Sequence, residues 1–267
     1  MVAKKATITI VFIGISVIHT LLAQDKSQEL VFPIVVSGFL GDTGQSPRFE
    51  TTFSILNQSN ASVPARIQLY TNQGKEVDGG LYAFTIPPNL LFPFSLFYAA
   101  ITAGPIPPQV NGWGRLTLQS DASVVAQSEI TFFPDPRSIY IPSSSAYTPT
   151  VKPTKMSQIS FVYRPGRRSA VAIVNPSSSQ NATVEIRVER PYAVFGFGNC
   201  PIVLTLSPRQ RLSKFLDELC GAVTGGSLPP EGALVTITSD VPVSVGAIDV
   251  FPQGGFTSLP VRAIPDN

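Results

Sequence analysis

The stretch ALVTITSDVPVSV, Ala233 to Val245, decides the fold, because RLTLQSDASVVAQ, Arg115 to Gln127, carries nearly the same phrase earlier in the chain. Apolar and polar residues alternate in such runs, as in Thr236, Ile237, Thr238 or Ala65, Arg66, Ile67, Gln68, Leu69. Alternation sends every second side chain to one face, so each run predicts a strand with one side buried and the other wet. Each phrase also holds a Ser-Asp pair, Ser120-Asp121 and Ser239-Asp240, which reads as a hairpin turn. Thr236 to Thr238 would enter the second turn and Val243 to Val250 would leave it.

Working outward, a shift of 118 to 120 residues aligns more of the chain. FSILNQ (Phe53 to Gln58) meets VAIVNP (Val171 to Pro176), ARIQLY (Ala65 to Tyr70) meets VEIRVE (Val184 to Glu189), and FTIPPN (Phe84 to Asn89) meets LTLSPR (Leu204 to Arg209). Further on, TFFP ending at Pro134 meets DVFP ending at Pro252, and YIP ending at Pro142 meets SLP ending at Pro260. A period above 100 residues implies whole domains in tandem rather than a solenoid. The expected organisation is a signal peptide at 1–23, domain 1 at 28–142, a Ser/Thr/Pro linker at 143–155 and domain 2 at 156–264.

Only 13% of residues are charged, Pro (25) and Gly (20) are abundant, and Val, Ile, Thr, Phe and Ser crowd short runs, an all-β composition. Turn signals such as TNQG (Thr71 to Gly74) separate about seven runs per copy, which predicts two tandem immunoglobulin-like antiparallel β-sandwich domains. The Cys-Trp-Cys pattern of true immunoglobulin domains is absent, so strand topology stays open.

One segment departs from alternation. In LSPRQRLSKFLDELCG, Ser207 sits as an N-cap, Pro208 at the first helical position and Gln210 three after the cap, while Leu212, Phe215, Leu216 and Leu219 form one stripe closed by Gly221. This predicts a short helix across the sandwich. The matching IPPNLLFPFSLFYAA of copy one keeps Phe92, Leu96 and Ala99 on one face but carries Pro93, so its helix should be shorter.

The order IVNP, LSPRQRLSKFLDEL, GALVTITSDVPVSV and GGFTSLPV resembles a tandem β-sandwich repeat of secreted bacterial proteins, a repeat with no established activity. The resemblance covers nearly all of copy two and, more loosely, copy one, where Ala122 and Ser123 replace the Val-Pro pair after the aspartate. It implies the fold and brings no catalytic residues with it.

Lys4 and Lys5 followed by the apolar run Ala6 to Ile18, with Ala23 as a cleavage point, read as an export signal; an uncleaved anchor is the alternative, interrupted by His19 and Thr20. No second apolar run reaches spanning length, so no membrane span is expected after cleavage. Without residues 1–23 the chain holds 17 basic and 17 acidic residues, which gives no bulk electrostatic reason to bind nucleic acid. The charge is uneven: residues 25–136 hold five basic and nine acidic side chains, and 137–267 hold 12 and eight. The halves are therefore of opposite sign, which favours their docking on each other.

The single histidine, His19, lies in the signal, so the rest of the chain cannot build a Ser-His-Asp or Cys-His group and lacks the commonest transition-metal ligand. No catalytic, cofactor or metal site is expected. Cys200 and Cys220, the two cysteines, read as a structural disulfide; no C-x-x-C supports a redox pair. GDTG (Gly41 to Gly44) contains the Asp-Thr-Gly of aspartic proteases but has no twin, and reads as a polar turn. Asn57, Asn60 and Asn181 match the glycosylation pattern, which matters only in a glycosylating host.

Two clusters are candidates for binding. Trp113, the sole tryptophan, with Tyr70, Tyr82 and Tyr98 could form an aromatic platform for a sugar ring or peptide, or Trp113 could pack in the core or at the domain junction. Arg164, Arg167 and Arg168, with Arg187, Arg190, Arg209 and Arg211, could form a patch for acidic polysaccharide or for the acidic first domain, or stand as scattered solvated side chains. The overall expectation is a secreted, non-enzymatic interaction or scaffold protein whose partner the sequence does not identify, an extracellular polysaccharide and another surface protein being the candidates. The alternative is a carbohydrate-binding module using Trp113, the tyrosines and the arginines.

Overall fold

The computed structural model describes residues 27–39, 48–96, 110–134, 144–161, 167–189, 200–219, 233–251 and 255–265. The first half comprises β1 (Gln28–Phe39), β2 (Arg48–Asn57), β3 (Val63–Thr71), β4 (Glu76–Ile86), β5 (Leu91–Ser95), β6 (Val110–Leu118), β7 (Val124–Phe133) and β8 (Ser144–Pro149). The second comprises β9 (Thr154–Phe161), β10 (Arg168–Val174), β11 (Ala182–Glu189), β12 (Cys200–Leu206), β13 (Arg211–Phe215), β14 (Ala233–Val250), β15 (Phe256–Ser258) and β16 (Val261–Ile264). The described chain is all-β, and all of its strand pairings are antiparallel, consistent with a β-sandwich.

Alternation produces the strands it predicts. β3 buries Val63, Ala65, Ile67 and Leu69 and turns Pro64 and Arg66 outward, while β11 buries Ala182, Val184, Ile186 and Val188. In the first half, β4-β3-β6-β1 makes one layer and β5-β2-β7-β8 the other, enclosing Phe32, Phe53, Ile55, Ile67, Leu116 and their neighbours. In the second, β12-β11-β14-β9 and β13-β10-β14-β15 enclose Ile159, Ile173, Ile186, Val235 and Val245.

One device recurs in both halves. The buried Asn57 donates from Nδ2 to the carbonyls of Ala61, Ile86 and Pro87 at 2.8, 3.2 and 3.0 Å, and its Oδ1 accepts from the Ser59 N–H. Asn175 does the same with Gln180, Leu206 and Ser207 at 2.8, 3.1 and 3.1 Å, and with the Ser177 N–H. Each asparagine thereby binds carbonyls where the chain passes from one layer to the other, with the bond to Ile86 or Leu206 buried.

Four expectations need correction. Ser239-Asp240 is no hairpin turn: β14 runs on from Ala233 to Val250, pairing with β11 up to Ser239, with β9 up to Thr238 and again at Val243 after a register shift, and with β10 and β15 beyond it. Val235 and Ile237 on one side, and Val243 and Val245 on the other, all enter the same core, so the strand gains more by crossing layers than by turning back. The Asp240 carboxylate secures the crossing by accepting the N–H groups of Thr183 and Val241 at 2.8 and 2.9 Å.

The two Ser-Asp pairs also fail to coincide. Leu118 lies opposite Ala65 and Ser239 lies opposite the equivalent Val184, so the first corner takes residues 119–123 and the second 240–242. The pairs are thus offset by two residues.

The predicted helix after Ser207 is mostly strand. Half of the capping box forms, with the Ser207 N–H donating to Gln210 Oε1 at 2.8 Å, but Arg209 takes φ +62° and the chain then extends as β13 along β10. Within this segment only 216–219 are helical among the described residues, and in the first half Leu96 alone follows β5 as helix. Asn89, φ +52°, repeats the turn before β5. Finally, the supposed linker at 143–155 contains β8, which buries Ala146 and Thr148 and pairs with β7, and Val151 bridges Val31.

Candidate functional site

The candidate residues converge on the contact between the halves. Tyr70 on β3 and Trp113 on β6 are cross-strand neighbours on the outer face of their layer, and their rings stack at 4.4 Å with a 17° tilt. Gly112 makes this possible: a Cβ there would lie 1.7 Å from the Tyr70 carbonyl oxygen. Neither ring reaches solvent, because Val31 and Val174 complete a buried cluster with them. The Trp113 indole Nε1–H donates to the Arg209 carbonyl at 2.8 Å. Trp113 therefore offers no platform to a ligand, which corrects the sugar-binding expectation for this residue.

Three arginines close the seam. Arg115 lies 5.6 and 5.7 Å from the Tyr70 and Trp113 ring centres and donates to the Pro176 carbonyl. Arg209 lies 5.5 Å from the Tyr70 ring and pairs with Glu76 at 3.3 Å. Arg211 enters the first half as a buried cation, donating to the carbonyls of Gly112 and Pro33 and to Asn111 Oδ1, the last at 2.6 Å. None of these partners is a carboxylate, and burial pushes its pKa down to about 10. It remains charged at neutral pH. Burial likewise raises the Tyr70 hydroxyl, partly offset by Arg115 and Arg209.

The backbone fits as closely. Gly74, φ +79°, lies so near the Pro208-Arg209 turn that a Cβ would come within 2.8 Å of the Arg209 carbonyl carbon. The Arg211 N–H donates to the Asn72 carbonyl at 2.9 Å. Below, Ala172 and Phe256 of the second half share a buried cluster with Ile34, Ile130, Phe132 and Ala146 of the first. A Cβ on Gly246 would meet Pro33 Cβ at 3.0 Å.

The remaining candidates are dispersed. Arg168 holds Asp217 through two bonds of 3.0 Å, reaches Glu218, and lies 3.8 Å from the centre of the Phe215 ring; Asp217 raises its pKa. Arg187 pairs with Glu185 at 2.7 Å, and Arg167 lies over Phe251 with Asp249 at 4.0 Å. These pairings leave no shared arginine patch among the described residues. Tyr82 packs edge-on against Phe94, half-buried, with its hydroxyl pKa raised by desolvation. Tyr98, Arg164, Arg190 and Cys220 lie outside the described residues, and with Cys220 so does the Cys200–Cys220 bridge. The described residues hold no group of three or more His, Cys, Asp or Glu placed for a metal ion.

Sequence reading missed Arg115, Gly74 and Pro33. The signal for the first was present: NGWGR places the sole tryptophan between glycines, a mark of close approach, and the stretch of the second half aligned with it near Ala233 has no aromatic. No protein-family model matches the chain, and no curated protein matches it either. No helix among the described residues is long and apolar enough to cross a membrane.

Proposed function

We propose that the chain is a non-enzymatic, exported interaction or scaffold protein made of two tandem copies of one β-sandwich unit, immunoglobulin-like in layering and strand number. The carrying observation is the seam: Trp113, Arg209 and Arg211, the most prominent binding candidates in the sequence, hold the halves to each other. A protein that spends its aromatic and cationic residues on fixing two units in one orientation presents a rigid surface to a macromolecular partner. The recurrence of the asparagine device and of the strand pairings supports the reading as two copies. The sole histidine in the signal-like segment supports a non-enzymatic role, and the resemblance to a repeat of secreted bacterial proteins supports export.

Small-angle scattering of wild type and Arg211→Ala, beside a broad hydrolase and glycan panel, tests this. A fixed interhalf distance in wild type that spreads in the variant, with a silent panel, is the expected outcome. Turnover that vanishes on changing one carboxylate, or glycan binding lost with Tyr82→Ala, would replace it.

A further inference from the structure

The seam is heterologous: the first half contributes the outer face of β1, β3 and β6 with Ile130, Phe132 and Ala146 from the core-facing side of β7 and β8, and the second contributes the outer face of β10, β13 and β14 with Phe256 of β15. If the halves are copies, each chain carries one unused version of each face. The pairing register locates them. In the second half Val174 lies between Arg211 and Ser244, and all three are buried. In the first half Leu56 lies between Leu91 and Val125 at the same place, one residue before the buried asparagine. Here Leu91 is 55% and Val125 56% exposed. On the same face Tyr147, 49% exposed, lies opposite Glu129.

The other unused face is equally identifiable. Tyr70 and Trp113 are paired across β3 and β6, and Glu189 and Leu234 are paired at the matching place across β11 and β14. That face extends to β12, where Val203 is 67% exposed, and to Arg262 beside Gln158.

Resting on the reading of the halves as copies, we propose that the outer face of β5-β2-β7-β8 docks the outer face of β9, β11 and β14 of a second copy of this chain. The contact repeats between molecules what the two halves make within one. Net charge favours this direction: the first half is acidic overall and the second basic, so first-to-second docking attracts where first-to-first repels, and on the second-half face Arg187 and Arg262 balance Glu185 and Glu189. A heterologous contact of this kind closes no dimer and extends as an open chain. The exposed leucine, valine and tyrosine are the apolar centre of such a contact.

Sedimentation of the full chain over a concentration series, with two surface variants, tests the proposal. Wild type should grow in mass with concentration beyond the dimer. Leu91→Glu/Val125→Glu and Val203→Glu/Arg262→Glu should each stay monomeric alone, yet form a dimer when mixed, since each retains the face the other lacks. All four positions are solvent-facing, and an unchanged thermal transition checks folding. A wild type that stays monomeric throughout overturns the proposal without any variant. A Val203→Glu/Arg262→Glu protein that dimerises alone overturns it in favour of a two-fold contact, and association that both variants leave intact overturns it in favour of another surface. Trp113 emission in the same samples reports the internal seam separately, so loss of assembly with a buried Trp113 leaves the two-copy reading standing.

Discussion

The Trp113 indole donates to the backbone carbonyl of Arg209, 96 residues away, at 2.8 Å. Its ring stacks on Tyr70, with Arg115 and Arg209 against the pair and Arg211 buried beside it. The seam is thus a polar and aromatic contact in which Arg211 is the buried charge while the Arg209–Glu76 pair stays open to solvent, and removing a buried polar member of such a contact is costly.

Two glycines separate backbone strain from seam contact. Gly74 and Gly79 both have positive φ, +79° and +70°, but only Gly74 faces the other half. Gly79→Ala should cost about 1 kcal/mol, the ordinary penalty of a left-handed alanine. Gly74→Ala should cost clearly more in urea unfolding, because its Cβ meets the Arg209 backbone.

Arg211→Lys tests the buried cation. Burial lowers the folded-state pKa of Arg211 to about 10, below the ordinary guanidinium range, so wild-type stability from this group rises only once the pH passes about 10. The same burial acting on a lysine starts from about 10.4. The variant should therefore gain stability as pH rises toward that value, a slope wild type lacks in the same window. Melting temperatures across the alkaline range check it.

Asn57→Ala and Asn175→Ala should destabilise by similar amounts, about 1–3 kcal/mol, since each removes the side-chain partner of one buried carbonyl, Ile86 or Leu206, and of a part-buried N–H. Aspartate should be no better, because its second oxygen would face those carbonyls. Unequal losses would separate the two halves as structural units.

Asp240 predicts an acid limb. The Thr183 and Val241 N–H groups hold its carboxyl below the ordinary 3.8, so its contribution is present above that value and disappears as pH falls through the lower, folded-state pKa. Asp240→Asn, which keeps one acceptor oxygen for these N–H groups but has no proton to take up, should flatten this limb of a pH–melting curve.

Legibility followed the kind of signal. β3 and β11 were readable because strict alternation describes a strand wet on one side. β10 is a strand whose run Val171 to Val174 is buried on both faces, and a continuous apolar run says nothing of what covers the second face. There Val171 and Ile173 enter their own core while Ala172 and Val174 meet the first half. The capping box after Ser207 was a true local signal overruled by pairing with β10, which no short window contains. Trp113 and Arg211 looked like ligand residues because a large aromatic and a cation serve a ligand and an internal seam by the same chemistry.

The most direct test follows urea unfolding of the full chain by Trp113 fluorescence and far-ultraviolet circular dichroism together. As the only tryptophan, it reports the seam alone. A blue-shifted native emission, protected from aqueous quenchers, whose loss coincides with the loss of β-structure is the expected result. A red shift that precedes the circular dichroism transition, or native emission open to quencher, would contradict a seam that holds the halves as one body.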